Sequence, residues 1–218
     1  MRLFHRTLPT EIAVWALSPS AQTVTDSHAE IARLIPAPGT PANPYPALTP
    51  NGQSIVLRVD APGTSLLLGG DLEVGVDGDR GWRAVVALPH QGRVRGQAYK
   101  VAHHGSSNAD HPDIWGRLLA PSPHAILTPY LRGVTPRPSP DDLKRLRSLA
   151  GSTHSTVWPL RLTPPARRGP AAATMKRVVR NRRALRPHPG HVRVRAPFNG
   201  GIADIVVTTY DGAGTIRR

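Results

Sequence analysis

KVAHHGSS, residues Lys100 to Ser107, is the stretch on which the reading of this chain turns. The apolar run Ala98 to Ala102 predicts a buried strand. That strand delivers two adjacent histidines, a glycine and two hydroxyl residues at its end. Imidazoles placed there have a use in metal chemistry: one neutral nitrogen takes the metal, while the neighbouring histidine orients it or donates a proton. The bland alternative is a pair of loop histidines hydrogen-bonded to backbone.

Upstream, LLLGGDLE repeats the theme, with a carboxylate, Asp71, at the end of an apolar strand and two glycines before it that permit a tight turn. Taken by itself, an aspartate after a strand is more often a turn or helix cap than a ligand. The surrounding pattern is one of alternating elements. Ile12 to Leu17 predicts a strand, and a helix capped by Asp26 or Ser27 follows, with Ile31, Leu34 and Ile35 as its apolar face until Pro36 stops it. Residues 36–50 are too rich in proline for anything but a loop. Ser54 to Val59 and Ser65 to Leu68, separated by DAPG, predict a β-hairpin. Helices are predicted over Trp82 to Leu88, Pro112 to Leu119 and Pro140 to Leu149, the last opened by Ser139; strands are predicted over Ala125 to Thr128 and Ser155 to Leu160. This alternation argues for a sheet covered by helices.

Composition narrows the classes. The 218 residues suffice for one domain with a sizeable core, and no run approaches the roughly 20 apolar residues that a bilayer span needs. The basic residues before the short run at Ile12 do not make a signal peptide, because Glu11 interrupts it. The expectation is a protein of the cytoplasm without membrane association. With no cysteine, any metal must be held by His, Asp or Glu. The net charge of +14 has two readings that stay open. One is attraction to a polyanion; the other is the arginine, alanine, proline and glycine excess of a GC-rich coding sequence.

Four elements in order carry a family resemblance: N-G-Q-S-I-V-L-R-V (Asn51 to Val59), LLLGGD to Asp71, Y-K-V-A-H-H-G-S-S (Tyr99 to Ser107) and HAILTPY (His124 to Tyr130). Together they resemble the second half of metallo-β-lactamase-fold hydrolases, in the subtype of ComEC-type DNA-uptake proteins and related stand-alone hydrolases. The resemblance covers roughly residues 12–160. It implies an α+β fold, an αββα sandwich that is incomplete here, with the second half present and most of the first half missing. Residues 1–160 would form this partial domain, 161–190 a basic linker and 191–218 a C-terminal β-hairpin added to the sheet edge.

By the same resemblance, Asp71 matches the carboxylate that bridges two metals and His103 the last metal-binding histidine, with zinc or manganese as the ion. His104 would be catalytic, facing substrate. Asn51 and Ser54 match the N-x-x-S element, with Asn51 binding substrate; Ser106 either contacts a phosphate or orients His103. The family's upstream H-x-H-x-D-H element has no counterpart: His5 and His28 are isolated, and His111 lies downstream, where it begins a helix. The chain is therefore expected to be a truncated hydrolase, or one subunit of a split hydrolase whose partner chain supplies the missing half. The expected substrate is a phosphoester or nucleic acid. The alternative class is a non-catalytic, basic nucleic-acid-binding protein using Arg167 to Arg186, a stretch without stacking aromatics.

Overall fold

A computed structural model of the chain describes residues 1–6, 11–41, 50–89, 94–131, 135–160, 188–197 and 202–217. Residues 161–187 of the expected linker at 161–190 lie outside the described residues, as do 42–49 of the proline-rich loop. The fold is a mixed α/β arrangement built on one large sheet with few helices.

The chain opens with β1 (Arg2–Arg6) and β2 (Ile12–Ala16), followed by α1 (Ala21–Leu34). Strands β3 (Leu57–Ala61) and β4 (Thr64–Leu68) form the predicted hairpin. Helix α2 (Gly81–Ala87) leads to β5 (Gly96–Lys100), and then come β6 (Leu119–Leu127), α3 (Pro140–Leu149) and β7 (Ser152–Ser155). After residue 187 come β8 (His191–Arg195), β9 (Val206–Tyr210) and β10 (Gly214–Ile216). Eight strands pair in the order β1-β2-β3-β4-β5-β6-β7-β10. Strands β4 to β7 run parallel, and the flanking strands are antiparallel. Strands β8 and β9 pair as a separate two-stranded sheet, so the element that joins the edge of the main sheet is β10 rather than the hairpin.

Side-chain direction follows strand parity, and the central strand β5 is buried on both faces. Leu67, Tyr99, Ala125, Leu127 and Ile216 point to one face and pack with Trp82 and Val85 of α2, Leu146 of α3, and Ile114 and Leu118. At about 25 cal/mol per Å² of apolar area, this continuous cluster is the main stabilising term. Tyr99 stands edge-on to both Trp82 and Trp115, at 6.3 and 5.6 Å between ring centroids. The opposite face carries Val59, Ala61, Thr64 and Leu66, which the β8–β9 segment approaches across a cleft of about 670 Å³.

Three local expectations are corrected. Helix α1 begins at Ser20, whose hydroxyl accepts from the Thr23 N–H, not at Asp26 or Ser27. The hydroxyls of Thr25 and Ser27 bond back to Ala21 and Thr23 carbonyls, so this polar run is tolerated inside the helix. Ile31 and Ile35 are exposed rather than core-facing. The last predicted strand is shifted: β7 ends at Ser155, where its hydroxyl both donates to the Val157 carbonyl and accepts from the Val157 N–H, closing a turn that competes with extension. The predicted helix over Pro112 to Leu119 contains a wide turn, Ile114–Leu118, in which Leu119 N–H bonds to Ile114 O.

Candidate active site

The parallel strands β4 and β5 end side by side, and the two motifs leave them together. Gly69 N–H donates to Lys100 O (3.0 Å) and His103 N–H donates to Gly70 O (3.0 Å), which ties GGD to HHG. A Cβ at Gly69 would lie 2.9 Å from the Ala102 Cβ and 3.0 Å from its backbone, so only glycine allows this approach. His103 (φ 41°), His104 (φ 55°) and Gly105 (φ 86°) are left-handed in succession. For the two histidines this costs about 1–2 kcal/mol each. The conformation is held by Ser106 N–H to His103 O at 3.0 Å and by Arg145 Nη2 to Gly105 O at 2.8 Å.

The turn sends the two imidazoles to different partners. His104 Nδ1 lies 2.6 Å from Thr128 O; a carbonyl only accepts, so the proton sits on Nδ1. Its Nε2 lone pair then faces Asp71 Oδ2 at 3.9 Å. His103 is engaged at both edges. The Asn51 amide nitrogen lies 3.3 Å from its Nε2 and donates to Glu73 Oε1 at 3.1 Å, while His103 Nδ1 is buried 3.4 Å from the same Glu73 oxygen without hydrogen-bond alignment. An amide N–H can only donate, so His103 Nε2 accepts and the ring proton sits on Nδ1.

Asp71 faces His104 and Glu73 lies beside His103. Asn51 reaches His103 and Glu73 directly. Ser106 is 2% exposed, buried beneath the turn, and its backbone N–H donates to the His103 carbonyl at 3.0 Å. Ser54 contributes backbone: its carbonyl accepts from the Ser18 hydroxyl at 2.6 Å. Glu73, Lys100 and Tyr130 had no distinguishing signal in the sequence. Lys100 Nζ donates to Gly70 O at 3.4 Å, and burial lowers its pKa against the opposing influence of Asp71. Tyr130 packs its ring 5.4 Å from that of His104 and is substantially exposed beside it.

Behind the turn lies a charged support. Arg145 bonds through Nε to Asp110 (2.5 Å) and through Nη1 to Asp142 (2.7 Å). Asp142 closes a reciprocal cap with Ser139 at the start of α3. Burial alone would raise the Asp142 pKa, but the hydrogen bonds from Arg145 and Ser139 hold it below the ordinary carboxylate value.

The fit to a metal is partial. Among the described residues, no group of three or more His, Asp or Glu side chains converges as a metal-binding set. Asp71 and His104 alone fall short of the three protein ligands common at catalytic zinc. Also among the described residues, no helix is long and apolar enough to cross a membrane. Compared with known proteins, the chain matches no family model, no curated protein and no solved structure.

Proposed function

We propose that this chain carries half of the active site of a metal-dependent hydrolase of the metallo-β-lactamase type, ComEC-like, acting on a phosphoester or nucleic-acid substrate. The observation that carries the reading is the Asp71–His104 pair at the carboxyl ends of adjacent parallel strands, where open α/β sheets place their ligands. His104 is oriented by a backbone carbonyl through Nδ1, which leaves Nε2 as a metal ligand or general base; Asp71 supplies the adjacent negative charge. A zinc or manganese pair, when bound, would polarise the scissile group and generate hydroxide. The remaining ligands would come from beyond the described residues, a partner chain included.

The test is to isolate the chain with whatever co-purifies, measure zinc and manganese content, and assay hydrolysis of bis(p-nitrophenyl) phosphate. Metal and activity should appear in the complex and fall at least 100-fold in Asp71→Asn and His104→Ala. A stable, metal-free, inactive monomer under native isolation would overturn the reading. The nucleic-acid-binding alternative rests on Arg167 to Arg186, which lie outside the described residues.

A further inference from the structure

The opposite end of the sheet holds a second polar constellation. Strands β6 and β7 begin there and β10 ends there, and the register aligns His124 with Ser152 and His154 with Thr215. His154 joins two hydroxyls: its Nε2 lies 3.0 Å from Ser152 Oγ and its Nδ1 lies 3.1 Å from Thr215 Oγ1. His124 Nδ1 reaches the same Ser152 oxygen at 2.8 Å. Ser152 and Thr215 also line a cleft of about 220 Å³ flanked by Arg147 and Arg217. No carboxylate among the described residues pairs with either guanidinium. We propose that this cleft is a binding site for a small phosphate dianion, free or as a monoester, held by Arg147 and Arg217 and by the hydroxyl of Thr215, with Ser152 turned to His154.

Charge, size and proton placement support this. Arg147 sits in the last turn of α3, whose exposed carbonyls carry about half a negative charge. Two guanidinium charges outweigh it, and no lining residue is acidic. The volume is below the roughly 300 Å³ at which drug-sized sites begin, which suits an ion and a few bonded atoms but not a nucleotide. A neutral imidazole has one N–H and one lone pair, so His154 draws a proton from one hydroxyl and gives one to the other. In the tautomer with the proton on Nδ1, Thr215 receives the ring N–H and its own O–H is released to donate into the cleft. Arginine supplies the forked donors that match phosphate oxygens.

The test is titration of the full chain with inorganic phosphate at constant ionic strength, followed by amide NMR, with glycerol 3-phosphate as a second arm and chloride as the control. Shifts should saturate at Ser152, Thr215 and Arg147. Binding should weaken at least tenfold in Arg147→Gln or Arg217→Gln, weaken in Thr215→Val, and remain unchanged in His104→Ala. The tighter of the two phosphates identifies a free ion or a monoester as the occupant. Equal shifts with chloride, no saturation, or shifts centred on His103 and His104 would overturn the proposal. Retention of binding in His104→Ala separates this site from the hydrolase reading.

Discussion

Arg145 donates from Nη2 to the carbonyl of Gly105 at 2.8 Å, joining the middle of α3 to the last left-handed residue of the histidine turn. The same guanidinium is shared between Asp110 and Asp142, so one side chain bridges two largely buried carboxylates while it fixes the turn. Arg145→Met removes the charged donor shared by both acids and the donor to the Gly105 carbonyl, leaving Asp110 to Trp115 and Asp142 to Ser139 and Arg137. It should destabilise the fold by about 2–4 kcal/mol, a loss readable as a lower midpoint in urea. Arg145→Lys should recover only part of it, since an ammonium cannot reproduce the fork.

Gly105→Ala tests the turn itself. The new Cβ would meet Leu127 Cδ1 at 2.9 Å and Leu146 Cδ1 at 3.1 Å, in a left-handed conformation that alanine resists. Overpacking and backbone strain together predict a loss of about 2–4 kcal/mol. The check is chemical denaturation beside Gly116→Ala, where a Cβ meets nothing within 4 Å and the effect should be small.

His154 predicts an acid-side loss of stability. Burial, and then the charge of His124, lower its pKa from the ordinary histidine value of 6.5. The groups facing its ring are His124, Ser152 and Thr215. Below about pH 6.5 the unfolded chain takes up a proton that the folded chain resists, so stability falls as pH drops from there toward the lower folded value and is unaffected well above 6.5. Thermal midpoints between pH 7.5 and 5.5 should show that slope, and His154→Gln should flatten it.

His104 and Ser106 should separate in an activity assay of the complex. His104→Ala removes the imidazole that faces Asp71 and should cost at least 100-fold in kcat. Ser106→Ala, buried beneath the turn, should change kcat less than threefold while lowering stability by about 1 kcal/mol. Steady-state kinetics on both variants decides it; equal losses would place Ser106 on the substrate.

Local patterns in the sequence were clear where chemistry is local. The Ser139 cap and Pro140 at the first turn place α3 at its observed bounds, and DAPG between two apolar runs places the β3–β4 hairpin. The strand leading to His103 and the meeting of GGD with HHG were likewise readable, because each motif ends an apolar strand. What failed depends on long-range choice. Ser20 capped α1 in place of Asp26 or Ser27, with its hydroxyl also bonded to the Asp79 carbonyl, a contact no local window contains. The pairing of His104 with Asp71 and of His103 with Glu73 depends on the left-handed turn, which two consecutive non-glycine residues rarely adopt. Arg145 carries no mark in sequence, since its three partners come from residues 105, 110 and 142.

The single bond from His103 N–H to Gly70 O spans the ends of two parallel strands whose connection is the entire segment between them, α2 included. It cannot form until that crossover has closed, a late event for a non-local parallel pairing. Its amide should therefore exchange with solvent only when the whole β4–α2–β5 unit opens, slower than the exposed amides of α1. Deuterium uptake at one histidine would then report whether the unit as a whole is intact.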